Sequence, residues 1–436
     1  MILKNLEIRR DKSVLLPKLK IKNSFKAGDI VLCRIEMEKF YAKIYRQGRA
    51  IYFNIPKKSG INIFKINKIS IQKVEALNKI KKEYRNGNLL YVNLFINNFR
   101  DWNIFENKKK IDILYFRKGT RPTPITSNKV IELNENFFEF LGLLQGEMLK
   151  YNKNRKGGGF IFSFSNSDTL IINTIIENLY EYFDIHKDKL IFELRLKNKE
   201  DLENNQNIIN KWEKELSIGK IHKIYFYNNL NGNSGLLSVQ YGSKILAELL
   251  NLLLDNIQSL FSERKQIEGF LRGLAAADGS VHRKTNSGTI DSFQIAIKNK
   301  DKRDCVKKLF QKLEIENFYV SDGYIRISGF ENFIKLAQID IFKLHLERKA
   351  RFAELFKKSQ KFKTISQLMN FKKGFTIKEY MLKTGAKNYP PVYNKLMNYV
   401  DKGLLEVTGE GTRASQLIFL NSNYTKEKFK ALASIQ

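Results

Sequence analysis

The chain has 436 residues, 43% hydrophobic and 28% charged with only 6 prolines, a balance that excludes disorder and low-complexity architecture. Its 77 Lys and Arg against 45 Asp and Glu leave a net charge of +32, which points to a polyanionic partner, because each phosphate neutralised releases counterions. No run approaches the roughly 18 to 20 uncharged apolar residues of a membrane span, and the first twelve residues lack the apolar core of a secretory signal, so an intracellular protein without membrane contact is expected, in cytoplasm, nucleoid or an organelle.

At roughly 150 residues per domain the length suggests about three domains. Residues 1–125 hold 29 basic and 10 acidic residues and read as a basic, β-rich N-terminal domain. Strand-like segments alternate over 26–75 ("DIVLCRIEM", "YAKIYRQGRAIYFNI", "INKISIQKV"), with turn signals at Gly28-Asp29, Gln47-Gly48 and Lys58-Ser59-Gly60. A helix is expected near 73–86, then the apolar segments "NLLYVNLFI" and "IDILYFRKG", with a boundary at Pro122 and Pro124. Cys33 lies here and Cys305 far away. With no paired spacing near either, both are read as ordinary thiols.

From about residue 133 to 357 one plan recurs twice, an αββαββα unit opened each time by a helix rich in small residues. The first copy, 133–257, opens with "FLGLLQGEML" (140–149). Strands follow at 159–165, 190–196, 221–227 and 236–241, with helices at 169–183 and 243–254. The second, 264–357, opens with "LRGLAAADGSV" (271–281), followed by strands 280–285 and 291–298, helix 301–313, strands 317–320 and 323–328, and helix 330–337. The last segment, 371–436, reads helix, turn, helix, strand, glycine loop, strand, the grammar of a winged helix. Thr376 caps its first helix, Pro390 or Pro391 opens the second and Gly403 closes it. In a DNA-binding version Tyr393, Asn394, Lys395 and Asn398 would face the major groove, with Arg413 beside the hairpin tip.

The two opening helices carry the chemistry. Gly142 and Gly146 are four residues apart, as are Gly273 and Ala277, so each pair lies on one helix face where two backbones can approach closely. Leu141, Leu144, Leu271 and Leu274 would surround that contact. Glu147 and Asp278 each follow the last small residue, so the two carboxylates are expected to meet at the repeat interface. Crowded carboxylates raise a pKa or collect a divalent metal. Hard oxygen donors and few histidines favour Mg²⁺, with Mn²⁺ as a substitute. Such ions activate water and stabilise a leaving alkoxide in phosphodiester hydrolysis.

Both stretches resemble the signature helices of the LAGLIDADG homing endonuclease family, in its single-chain, two-repeat form. The likeness covers roughly 133–357, and departs at Glu147, where aspartate is commoner, at Gln145, and at Met148, where a glycine normally follows. It implies an α+β fold whose antiparallel sheets form a saddle on double-stranded DNA, Glu147 and Asp278 as catalytic metal ligands, and a double-strand cut at a long recognition site. It also implies that Lys298, and Arg326, hold active-site waters or a phosphate. Strand alternation nominates the groove-facing residues Ser280, His282, Lys284, Ser292, Gln294 and Lys298, and in the first repeat Ser163 and Ser165. The basic loop with Lys153, Arg155 and Lys156 would reach phosphates. Met1 and the ending "ALASIQ" lack the residues of protein splicing, so a free-standing, monomeric protein is expected, its activity serving the mobility of an intron. Two other readings stay open: a catalytically weak or inactive transcriptional regulator on the same scaffold, and a maturase that binds structured intron RNA.

Overall fold

The computed structural model describes 83–100, 102–115, 124–148, 162–197, 199–227, 235–316, 318–371, 374–408 and 417–433, with shorter pieces of the first 82 residues (2–4, 8, 13–16, 25–35, 38–47, 50–55, 66 and 68–74). Two small antiparallel sheets open the chain. One is ordered Ile2–Lys4, Lys68–Val74, Ile30–Ile35, Glu38–Lys43, the other Ser13–Leu15, Ala50–Asn54, Tyr45–Gln47. Alternate residues such as Val31, Cys33, Ile35, Ile69 and Ile71 turn into a common core with Val14 and Phe53. The helix expected near 73–86 is absent among the described residues of that span. Lys73 and Val74 are held by pairing with Val31 and Ile30, and Arg85-Asn86 enter a hairpin whose turn uses Gly87 at φ +55°. At these described ends, ladder bonds set the backbone.

After the strand Leu89–Tyr91, the helix Val92–Phe99 and the hairpin Asn103–Asn107 with Lys110–Leu114 bury Leu90, Phe95, Ile96 and Ile113 in the same core as the repeats. The second repeat follows the expected plan: Arg264–Asp278, Gly279–Arg283, Ile290–Ala296, Lys300–Lys312, Phe318–Val320, Tyr324–Ile327 and Phe330–Gln338. Its four strands are all antiparallel, with Gly279–Arg283 at one edge and Phe318–Val320 at the other.

The first repeat has one element more than expected. Between Ile191–Leu196 and Lys223–Phe226 lies a helix, Leu202–Glu215, and those two strands pair parallel at the sheet's outer edge. Parallel neighbours need such a crossover, whereas a hairpin would make them antiparallel. The remaining pairs, Phe162–Asn166 with Leu236–Tyr241 and Leu236–Tyr241 with Ile191–Leu196, are antiparallel.

Equivalent points of the repeats keep a constant spacing of 131 residues: Glu147 to Asp278, Phe164 to Ile295, and the helix caps Asp168 to Asn299. Backbone register agrees, for Met148 pairs with Phe164 as Gly279 pairs with Ile295. No residue is gained or lost in sequence between the acid and the next helix cap, so the described landmarks keep one register in both repeats.

The two motif helices, Glu135–Glu147 and Arg264–Asp278, pack against each other along their small residues. A Cβ at Gly142 would land on the carbonyl of Phe270, one at Gly273 on the carbonyl of Glu139, and one at Gly269 within 2.5 Å of the carbonyl of Glu135. The contact is therefore backbone against backbone. One ionic cluster crosses it: Arg272, 4% exposed, donates to Glu139 at 2.7 Å, to Glu135, and to the Ile339 carbonyl at 3.1 Å. Lys343 adds a second cation 2.9 Å from Glu139. A buried charge without such partners would be costly.

The last segment forms helices Ile377–Thr384 and Tyr389–Asp401 and a hairpin of Leu405–Thr408 with Ile418–Asn421. Thr376 and Glu379 form a capping box on the first, prolines stand at the start of the second, and Gly385 and Gly403 take positive φ. These elements enclose a separate core of Phe375, Ile377, Tyr380, Leu396 and Phe419.

Candidate nucleic-acid cleavage site

Both motif helices end in their acids. Asn134 starts the first by accepting from the Phe137 amide at 3.0 Å, and Gln266 starts the second by accepting from the Glu263 amide at 3.1 Å. From those caps the seam carries the helices side by side to their carbonyl ends. There Gly146 leaves room for the other half: a Cβ on it would sit 2.5 Å from the Ala277 Cβ and 3.1 Å from Oδ2 of Asp278. Glu147, the next residue, is thus brought beside Asp278. Burial, and then the negative charge of Asp278, hold the Glu147 carboxyl up at about 7, while Arg348 pulls the other way.

Arg348 has no counterpart in the sequence reading. It lies on the helix Leu346–Lys357, which follows the αββαββα unit, and its Nη1 donates to the carbonyls of Ala275 (2.9 Å), Ala276 (2.8 Å) and Ala277 (3.3 Å). Burial lowers its own pKa, and the charges of Glu147 and Asp278 oppose that shift. The residue before this helix, His345, accepts from the Arg348 amide at 3.5 Å and stands 3.5 Å from the Asp168 carboxylate. Burial, and then Arg348, lower the His345 pKa, while Asp168 and Glu347 oppose that shift. Near the other acid, Lys302 donates to Gln145 at 2.9 Å. No local pattern announces Arg348, because tertiary packing alone brings it to the acids.

Each sheet presents a polar row on the face away from its helices. In the second repeat Ser280, Gln294, Arg326 and Tyr319 stand opposite one another across the four strands. Ser280 and His282 share that face with their side chains 2.9 Å apart, Lys284 is exposed, and Arg326 pairs with Asp291. Ser292 differs from expectation, being fully buried. A bulge after His282, which lets Arg283 face Ile290, inserts Asp291 into the strand, and the Ser292 hydroxyl turns to Asp291 at 3.3 Å. Lys298 is exposed just past the strand, one residue before the Asn299 cap.

In the first repeat Ser163 and Ser165 alternate with buried Phe162 and Phe164 as expected. Ser163 faces Gln240, and Ser165, Ser238, Glu193 and Lys223 form the neighbouring row. Gln240 donates to Glu193 at 2.6 Å and Lys223 pairs with the same carboxylate at 3.3 Å. Gln240 and Glu193, unnamed in the sequence reading, are nominated by strand parity, whereas Asp291 has the parity of Phe293 and Ile295 and joins the row only through the bulge. In the last segment Asn394, Lys395 and Asn398 are exposed and Tyr393 is half-buried. The Lys395 ammonium lies 5.7 Å over the Tyr380 ring and 5.8 Å over that of Tyr399. Lys153, Arg155, Lys156 and Arg413 lie outside the described residues.

A family model described as a LAGLIDADG-like domain matches residues 265–339. The match lies within the second repeat and includes its motif helix. The first repeat shares the motif helix and the 131-residue offset as far as the cap Asp168, and then departs with the helix Leu202–Glu215 and a parallel edge strand. No curated protein matches the sequence. Among solved structures, the chain is similar to I-DmoI in complex with DNA and Mn at 17% identity, over 49% of this chain and 98% of that one, TM-score 0.26. It is similar to the LAGLIDADG meganuclease I-AabMI bound to uncleaved DNA at 14% identity, over 58% and 98%, TM-score 0.27. The N-terminal LAGLIDADG domain of DUF199/WhiA is 12% identical over 51% and 88%, TM-score 0.30. Likeness at these scores says nothing about activity.

Proposed function

We propose that the protein is a site-specific, homing-type DNA endonuclease that makes a metal-dependent double-strand cut. The observation that carries this reading is the meeting of Glu147 and Asp278 where the two motif helices end. Two crowded carboxylates are hard oxygen donors, and among the described residues no cluster of three or more His, Cys, Asp or Glu adds to them. That donor set suits Mg²⁺, which typically takes one or two carboxylates and leaves its other positions to water and substrate phosphates. Mn²⁺ is the natural substitute. When bound, the ion supplies activation of water and stabilisation of the leaving alkoxide.

The chain's own residues do the rest. Glu147 and Asp278 hold the cation. The polar rows with Ser163, Ser165, Ser280, His282, Gln294 and Arg326 lie along the duplex, each half addressing one strand. Lys284 contacts phosphate, and Lys298 steadies water or phosphate at the centre. The winged-helix-like segment, with Tyr393 and Lys395, and the basic N-terminal part lengthen the footprint.

Incubation with Mg²⁺ and a library of random duplex DNA releases fragments with short cohesive ends. Asp278→Asn lowers that cutting at least about 100-fold, the scale of losing one group that holds transition-state charge, and leaves DNA binding intact. Binding without nicking in Mg²⁺ and in Mn²⁺ defeats this reading in favour of a regulator, and preference for structured intron RNA over duplex defeats it in favour of a maturase.

A further inference from the structure

The helix Leu346–Lys357 follows the αββαββα unit at the end of the second repeat, and its start touches both halves of the molecule. His345 meets Asp168, which caps the helix Thr169–Phe183 of the first repeat by accepting from the Leu170 amide at 2.8 Å. Three residues on, Arg348 is anchored on three successive carbonyls of the second motif helix, the last of them belonging to Ala277, next to Asp278. A helix leaves its last four carbonyls without intrahelical donors and carries partial negative charge at that end. One guanidinium nitrogen is therefore fixed where a helix terminus and two carboxylates all concentrate negative potential.

We propose that Arg348 is a positioning residue that serves as the resident counter-charge of the acid pair. A bound divalent cation then enters against an existing positive charge rather than into an empty acidic pocket. The carbonyl anchors keep the guanidinium from swinging away, so its repulsion persists when the metal is bound. The consequence is weakened metal affinity before DNA arrives. Phosphate, which brings negative charge of its own, restores the balance, so metal retention becomes tied to DNA. This rests on the reading of Glu147 and Asp278 as metal ligands.

Mn²⁺ alone is the probe, titrated into the full-length protein at low ionic strength and followed by electron paramagnetic resonance of the free ion. Arg348→Gln keeps a neutral N–H donor and removes the charge, and binds Mn²⁺ about tenfold more tightly than the wild type. Arg348→Lys keeps the charge and stays within about twofold of it. The gain from Arg348→Gln disappears in the Glu147→Gln background, since it acts through the acids. A merely structural role would weaken binding in both Arg348 variants. Unchanged or weaker Mn²⁺ binding in folded Arg348→Gln overturns the proposal. Should that variant fail to fold, a change beyond twofold in Arg348→Lys overturns it instead, and affinity kept within twofold supports it. Wild-type binding that ignores both Glu147→Gln and Asp278→Asn sinks the ligand assignment beneath it, as does absence of binding in wild type and Arg348→Gln alike.

Discussion

Glu147 is held protonated toward neutral pH by burial and by Asp278, and this has a sign. Its folded-state pKa, about 7, lies above the unfolded value near 4.5, so the folded chain binds the extra proton between those limits. Stability is full below the unfolded value and is lost as pH rises through 7, by on the order of 3 kcal/mol. Metal-free protein therefore melts at lower temperature at pH 8 than at pH 5. In Glu147→Gln that difference shrinks, as paired melting curves at the two pH values would reveal. The seam glycines make a second residue-scale prediction. Gly273→Val drives a side chain into the Glu139 carbonyl, so the loss reaches or exceeds the roughly 3 kcal/mol at the upper end of ordinary overpacking. Gly219→Ala meets nothing within 4 Å and has ordinary φ, so it stays within about 0.5 kcal/mol. Denaturation midpoints of the two variants separate seam from surface.

Among the elements, the motif helices and most sheet strands were legible because their signals are local: small residues four apart, strict alternation over Phe162–Phe164, caps at Asp168 and Asn299. The helix Leu202–Glu215 was equally written in the chain. Asp201 caps it, and Asn205, Trp212 and Leu216 recur at helical spacing on its buried side. It was overlooked because the repeat template supplied a hairpin in its place. Ser292 departed for another reason, since a bulge is a property of the paired strands and not of the stretch itself. Arg348 is the extreme case, brought to the acids by packing alone. Arg272 illustrates the energetics of this level. Arg272→Met strands Glu139 with Lys343 as its remaining cation and costs about 3 kcal/mol, while Arg272→Met with Glu139→Gln recovers most of it. Equilibrium unfolding of the single and double variants tests that; equal losses would refute the coupling.

For the whole molecule, charge and shape point the same way. The excess of +32 predicts DNA binding whose logarithm falls linearly with the logarithm of salt, by about 0.9 per phosphate neutralised. With 6 to 10 contacts the affinity drops roughly 10³ to 10⁵-fold from 50 to 200 mM salt. A flat titration in that range would mean that the basic excess serves something other than a phosphate backbone. The two sheets differ in what they offer: Ser163 with Gln240 and a Glu193–Lys223 pair on one, Gln294 with an Asp291–Arg326 pair on the other.

Two identical subunits joined on a twofold axis are bound to read a palindrome, since whatever one sees the other must see inverted. Here a 131-residue stride from the seam glycines to the next helix cap keeps the two centres alike, while beyond it the halves differ in side chains and in the helix Leu202–Glu215. Under the proposed function, a single polypeptide would then grip an asymmetric sequence, and the number of addresses open to it would grow as the product of what its halves can learn.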